Sequence, residues 1–123
     1  MDKVLLSIKP EFANKIFSGE KEFEYRKVVF KRKHIKTILV YSSSPVQRVI
    51  GEFEIEHIIS MHPNDLWNVT SKLSGLSHKY FQSYFESKEI GYAIKIKCYR
   101  LYPTPKFLKD VFQGSPPQSF CYL

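Results

Sequence analysis

Glycine is scarce in this chain, with five residues in 123. Neither a glycine-rich phosphate loop nor a dinucleotide-binding fingerprint is present. Cysteine is scarcer still: Cys98 and Cys121 form no CxxC pair, so the ligand spacing of a zinc site is missing. The nucleophile-elbow pattern GxSxG and the metalloprotease pattern HExxH are absent as well. The four histidines, His34, His57, His62 and His78, are scattered, and none stands at helical or strand spacing from another as a metal pair would. The sequence therefore predicts no metal and no cofactor. No apolar run approaches the roughly 20 residues that span a bilayer, and there is no internal repeat, low-complexity tract or long linker. No signal peptide precedes the first apolar run, which follows Met1-Asp2-Lys3 directly. Two reduced thiols and a cytoplasmic location are the expectation.

Aromatic residues are plentiful: ten Phe, eight Tyr and one Trp. A hydrophobic share of 43% beside 25% charged residues suits one globular domain over residues 1–123 and argues against disorder. Lys and Arg outnumber Asp and Glu by 19 to 12, for a formal charge of +7. Such a balance attracts polyanions, although charge alone steers encounters without specifying a partner.

Val4 to Ile8 reads as a first strand. Pro10 and Glu11 suit the opening turn of a helix, whose apolar face is Phe12, Ala13, Ile16 and Phe17 and whose end is Ser18-Gly19. Strands are predicted over Lys21–Phe30, Ile35–Tyr41, Arg48–Ile58 and Tyr92–Tyr102, with Ser42-Ser43-Ser44-Pro45 as a turn. In the Arg48 strand, Val49, Gly51, Phe53 and Ile55 alternate with Glu52, Glu54 and Glu56, the pattern of a half-buried strand. Gly51 marks a bulge or a close backbone approach. Lys95 and Lys97 are placed to pair across the sheet with those glutamates. Helices are expected to open at Pro63 and at Ser77, a short one near Phe107–Phe112, and a closing strand over Ser119–Leu123. Strands do not alternate regularly with helices, which disfavours a parallel doubly wound sheet. The expected fold is α+β: a small, mostly antiparallel β-barrel of about five to seven strands with helices at its ends.

One cluster joins a glycine turn to closely spaced opposite charges: Gly19-Glu20-Lys21-Glu22-Phe23-Glu24-Tyr25-Arg26. On a regular strand Glu24 and Arg26 share a face, and Lys21 joins them only from a turn or across a bulge. Such a cluster reads either as a surface charge ladder, worth little to stability, or as a cleft where Lys21 and Arg26 meet an anionic or carbonyl group and Glu24 orients it or accepts a proton.

Gly19, Lys21, Glu24 and Arg26 match the GxKxxExR signature of ASCH domains. The chain also resembles that family at Leu6-Ser7-Ile8-Lys9-Pro10, Tyr41-Ser42-Ser43-Ser44-Pro45-Val46, Gly51-Glu52-Phe53, Leu66-Trp67 and Pro116-Pro117-Gln118-Ser119-Phe120. The resemblance implies a PUA-like β-barrel with a cleft beside the helix after strand one, and nucleic-acid binding, RNA ahead of DNA. Some small family members are hydrolases, one branch acting on N4-acetylcytidine and others proposed as ribonucleases. Glu24 stands where that amidohydrolase branch has its threonine nucleophile.

Two functions follow as expectations. As a binding module, the chain would hold an unstacked base or nucleotide in a cleft of Lys9, Lys21, Glu24, Arg26, Tyr41 and Ser43, with Lys31, Arg32 and Lys33 on phosphates. For Tyr41 core packing is the favoured reading, and the Lys31–Lys33 run reads equally as a solvated loop. As a small hydrolase acting on a modified nucleoside or on RNA, its catalytic residues would be Lys21 and Glu24. The partner in either case is nucleic acid or a nucleoside, and no membrane.

Overall fold

The computed structural model describes residues 2–123. Val4, Leu5, Leu6 and Ile8 are all buried in the opening strand β1 (Lys3–Ile8). A strand covered on both faces has no polar side, which is why its sequence shows no alternation. Pro10 begins helix α1 (Pro10–Ser18), where its missing N–H has no intrahelical partner to lose. α1 buries Ala13 and Ile16 and ends at Gly19, whose φ of 86° suits a residue without a Cβ. The chain continues through β2 (Phe23–Arg26), β3 (Thr37–Ser42), β4 (Arg48–Met61), α2 (Pro63–Thr70), α3 (His78–Tyr84), β5 (Gly91–Lys106) and β6 (Phe120–Tyr122). His62 and Ser77 cap α2 and α3 by accepting from the backbone N–H of Asn64 and Tyr80.

The six strands form one sheet in the order β2-β5-β4-β3-β1-β6. β1 and β3 run parallel, and the other four pairings are antiparallel. The sheet curls into a half-barrel of α+β class. The expected barrel is thus only partly formed. β2 and β6 are its free edges, and among the described residues no backbone ladder joins them. At four and three residues, both are too short to supply a long closing ladder.

One core fills the curl, including Leu6, Ile16, Ile38 and Phe53. A second lies under α2 and α3, where Leu66, Phe81 and Phe85 meet Phe23 and Tyr25 of β2. Each such side chain stabilises the fold by about 1.5–3 kcal/mol relative to exposure. A third group, Leu5, Leu39, Tyr41, Val49 and Tyr102, packs under the C-terminal segment.

Several elements depart from their sequence pattern. β5 does not stop at Tyr102 but runs through Pro103 and Pro105 to Lys106. The register explains this: Gly51 pairs Leu101 while Val49 pairs Lys106, so both prolines sit in an irregular stretch where no ladder N–H is required. The helix expected at Phe107–Phe112 is a single 3-10 turn, Leu108–Asp110, in keeping with the cost of nucleating so short a helix. The charge ladder between Lys95 and Lys97 and the β4 glutamates does not form. Lys95 pairs with Glu22 instead, and Glu52 accepts from Arg100 and Tyr102. Bulges shift the register on both sides of Ile55, which breaks the simple period-2 alignment on which that pairing depended.

Candidate functional site

The turn between α1 and β2 builds the first wall of the site. β2 starts at Phe23, not at Lys21, so Lys21 lies in the turn. Its backbone N–H donates to Lys15 O at 3.0 Å, and that of Glu22 donates to Leu73 O at 2.9 Å. The Lys21 side chain is 2% exposed. Its Nζ donates to Ser74 O at 2.7 Å and lies 4.8 Å from the ring centre of Tyr25 and 5.6 Å from that of Phe12. Gly75, at φ 70°, covers the stem so closely that a Cβ there would approach Lys21 Cβ to 2.8 Å. Burial holds the Lys21 amine down at about 8, against the upward pull of Glu24 and with a further downward push from Lys15.

β2 supplies the other two charges. Its alternation sends Phe23 and Tyr25 into the core under α2 and α3 and puts Glu24 and Arg26 together on the opposite side. Glu24 and Arg26 are both buried, and Arg26 Nη1 donates to Glu24 Oε2 at 3.2 Å. The same Nη1 donates to Ser7 O at 3.3 Å, and Nη2 donates to Ser119 Oγ at 2.9 Å. Three of the five guanidinium N–H donors are thus engaged within the protein. Beneath this pair, Tyr25 is fixed by a 2.6 Å hydrogen bond to Thr70 Oγ1. Thr70 donates onward to Leu66 O at 2.8 Å, so the phenol is the donor. Burial pushes the Tyr25 phenol up to about 12, and burial also raises that of Tyr84.

These groups open on a cavity of about 490 Å³ at the C-terminal ends of β1 and β3. It brings together Lys9, Lys21, Glu24, Arg26, Tyr41 and Ser43. Lys9 stands at the exposed rim, its Nζ donating to Tyr80 Oη at 3.3 Å. Tyr41 is both wall and core. Ser43 is tied to β1 through its backbone N–H, which donates to Ile8 O at 3.0 Å. The cavity does not include Lys31, Arg32 or Lys33. They are exposed near the N-terminal end of β1, where Tyr122, the partner of Val4, accepts from the Lys31 and Arg32 N–H groups. The length of β1, roughly 17 Å at 3.3 Å per residue step, separates the two places.

The structure adds residues that sequence reasoning did not single out. Phe12, Tyr80 and Tyr84 give the cavity an aromatic side, with Phe12 and Tyr80 edge-to-face at 5.1 Å. Pro117 and Gln118 close it from the C-terminal segment. That segment is held by Ser7 Oγ, which donates to Pro117 O at 2.6 Å. The Pro-Pro-Gln-Ser string is the visible signal for this wall, but nothing in it shows that residues 93 positions apart, Arg26 and Ser119, meet. Among the described residues no helix is long and apolar enough to cross a membrane.

Comparison with known proteins agrees over nearly the whole chain. It is 30% identical over 123 residues to large ribosomal subunit protein uL22 of Ureaplasma parvum, a match over 99% of this chain but only 39% of that longer protein. It is 31% identical over 126 residues to an ASCH domain-containing ribonuclease of Zymomonas mobilis, covering 98% of this chain and 84% of the relative. The crystal structure of ASCH from Zymomonas mobilis superposes with a TM-score of 0.88 at 31% identity, over 98% of this chain and 87% of that one. The ASCH domain profile itself matches residues 6–99. The chain belongs to the ASCH domain family.

Proposed function

We propose that this chain is an RNA-binding module whose cavity takes one unstacked base or nucleotide. The observation that carries the reading is the buried Glu24–Arg26 pair on the wall of a cavity with an aromatic side. A buried ion pair rarely stabilises a fold more than apolar packing would, so its place at a concave surface favours recognition. Two of the five Arg26 donors have no partner among the described residues, a planar fork available to a phosphate or a base edge. Glu24 is suited to accept from an exocyclic amine. Phe12, Tyr80 and Tyr84 offer ring surface, and stacking contributes about 1–3 kcal/mol per base. Membership of a family that includes a protein named as a ribonuclease favours RNA over DNA.

Lys21 favours a second reading. An amine held at about 8 is partly neutral near physiological pH and can take a proton in a hydrolytic step. In that reading Lys21 and Glu24 are the catalytic residues of an RNA-directed or nucleoside-directed hydrolase.

Titration of a labelled single-stranded RNA oligonucleotide into wild type, Arg26→Lys and Glu24→Gln, with strand integrity followed on a gel, decides between them. Binding without cleavage, weakened in both variants, fits the module. Cleavage lost in Glu24→Gln while binding persists fits the hydrolase. Unchanged RNA binding in both variants removes the cavity from RNA recognition.

A further inference from the structure

A second concavity, of about 580 Å³, lies at the other end of the sheet. It gathers five cations from two separate stretches of chain: Lys31, Arg32, Lys33 and Lys36 from the β2–β3 connection, and Lys97 from β5. Among the described residues its one acid is Glu56, whose carboxylate faces the His57 ring at 3.5 Å. Among the described residues none of the five cations has an ion-pair partner. Uncompensated like charges around one hollow repel one another and oppose folding.

The hollow is built, not frayed. The Tyr122 hydroxyl accepts from the backbone N–H of Lys31 at 3.0 Å and of Arg32 at 3.4 Å. The Arg32 guanidinium lies 3.9 Å from the centre of the same ring. Lys36 O accepts from Ile55 N at 2.8 Å, which ties the connection to β4. The sheet is deformed at this place by two opposed bulges. Between Glu54↔Cys98 and Ile55↔Ile96 the extra residue is Lys97, and between Ile55↔Ile96 and His57↔Lys95 it is Glu56. Both bulged residues line the hollow. Bulges re-aim side chains that a regular ladder would send elsewhere. Ile55 and Ile58 provide an apolar floor between the charges.

We propose that this hollow is a separate docking site for the phosphate backbone of single-stranded RNA, distinct in residues from the cavity that takes the base. The inference rests on the RNA reading of that cavity and extends it. Charge complementarity identifies the occupant: five free cations suit a chain of phosphates, and the apolar floor suits the sugars and bases between them. Recognition then divides between two places, with salt-sensitive anchoring here and salt-tolerant base selection at Glu24 and Arg26.

The test uses the full chain, a labelled single-stranded RNA oligonucleotide and, separately, the four ribonucleosides, which carry no phosphate. The comparison is wild type against the double variant Lys36→Gln/Lys97→Gln, two positions outside the Lys31–Lys33 run. The expected result is a shallower dependence of log affinity on log salt, with nucleoside binding unchanged. The slope should fall by about 0.7 for each phosphate no longer neutralised, and so by about 1.4 in the double variant. An unaltered slope overturns the proposal. So does wild-type protein that binds no RNA oligonucleotide, or that instead binds anionic phospholipid vesicles through Lys36 and Lys97. Nucleoside binding in the same samples shows whether the cavity reading stands when the docking site fails. The Arg26→Lys variant serves as the converse, with weaker nucleoside binding and an RNA salt slope like wild type.

Discussion

Arg26 Nη2 donates to Ser119 Oγ across 2.9 Å and 93 residues of chain. The two residues belong to opposite ends of the sheet order, Arg26 to edge strand β2 and Ser119 to the approach to edge strand β6. A side chain thus bridges edges that, among the described residues, no backbone ladder joins, and the cavity lies along that seam. Breaking this hydrogen bond is therefore expected to affect the C-terminal edge as well as the ligand. In Ser119→Ala, amide hydrogen exchange should quicken at Phe120–Tyr122, with a stability loss of about 1 kcal/mol, the usual net worth of one hydrogen bond. Exchange at those amides equal to wild type would show that the Arg26–Ser119 hydrogen bond does not hold β6.

The buried lysine predicts a pH signature. The Lys21 amine sits at about 8 in the fold against its ordinary 10.5. Between those values the unfolded chain binds more protons than the folded one, so stability rises with pH. Below about 8 both states are protonated and the burial penalty is fully present. The raised Tyr25 phenol acts in the opposite sense above its ordinary value of 10, and the raised Cys98 and Cys121 thiols do so above 9. All three are common to wild type and a Lys21 variant, so a difference between the two over the window from pH 8 to 10 reads the amine. Denaturant midpoints of wild type minus those of Lys21→Met should climb across that window. A flat difference would mean that the amine is hydrated.

Tyr25 tests the floor of the site. Tyr25→Phe removes the donor to Thr70 while keeping the ring packed on Phe81 and Phe85. A loss of about 1 kcal/mol is expected, with little change in ligand affinity, because Thr70 keeps its own bond to Leu66 O. Urea denaturation and nucleoside titration measure the two effects separately.

Gly51 shows what the sequence revealed and what it withheld. Its place in an otherwise alternating strand signals a close approach, and a Cβ there would lie 2.6 Å from Arg100 O and 2.7 Å from the Phe17 ring. Gly51→Ala is expected to cost about 1–3 kcal/mol from overpacking, measurable as a lower thermal midpoint. The strand itself was legible because Val49, Phe53 and the glutamates obey period 2. The partner of each glutamate was not, because that depends on bulges around Ile55, and a bulge leaves no mark in hydrophobic periodicity. Glu24 and Arg26 were legible as neighbours on one face. The burial of Lys21 was not, since Gly75 and Ser74 that cover it come from more than 50 residues away. Likewise the apolar runs in β1 and β3 foretold strands, but only long-range pairing decides that these two lie parallel.

The proposed ligand of the cavity bounded by Lys21, Glu24 and Arg26 is an unstacked RNA base. A crystal structure of the protein with a short single-stranded RNA tests it most directly. The expected result is one base out of the stack, its edge or phosphate within hydrogen-bond distance of the Arg26 guanidinium and the Glu24 carboxylate, and its ring against Tyr80 or Tyr84. An RNA bound elsewhere on the surface, with the Glu24–Arg26 pair untouched and the cavity filled by solvent, would contradict it.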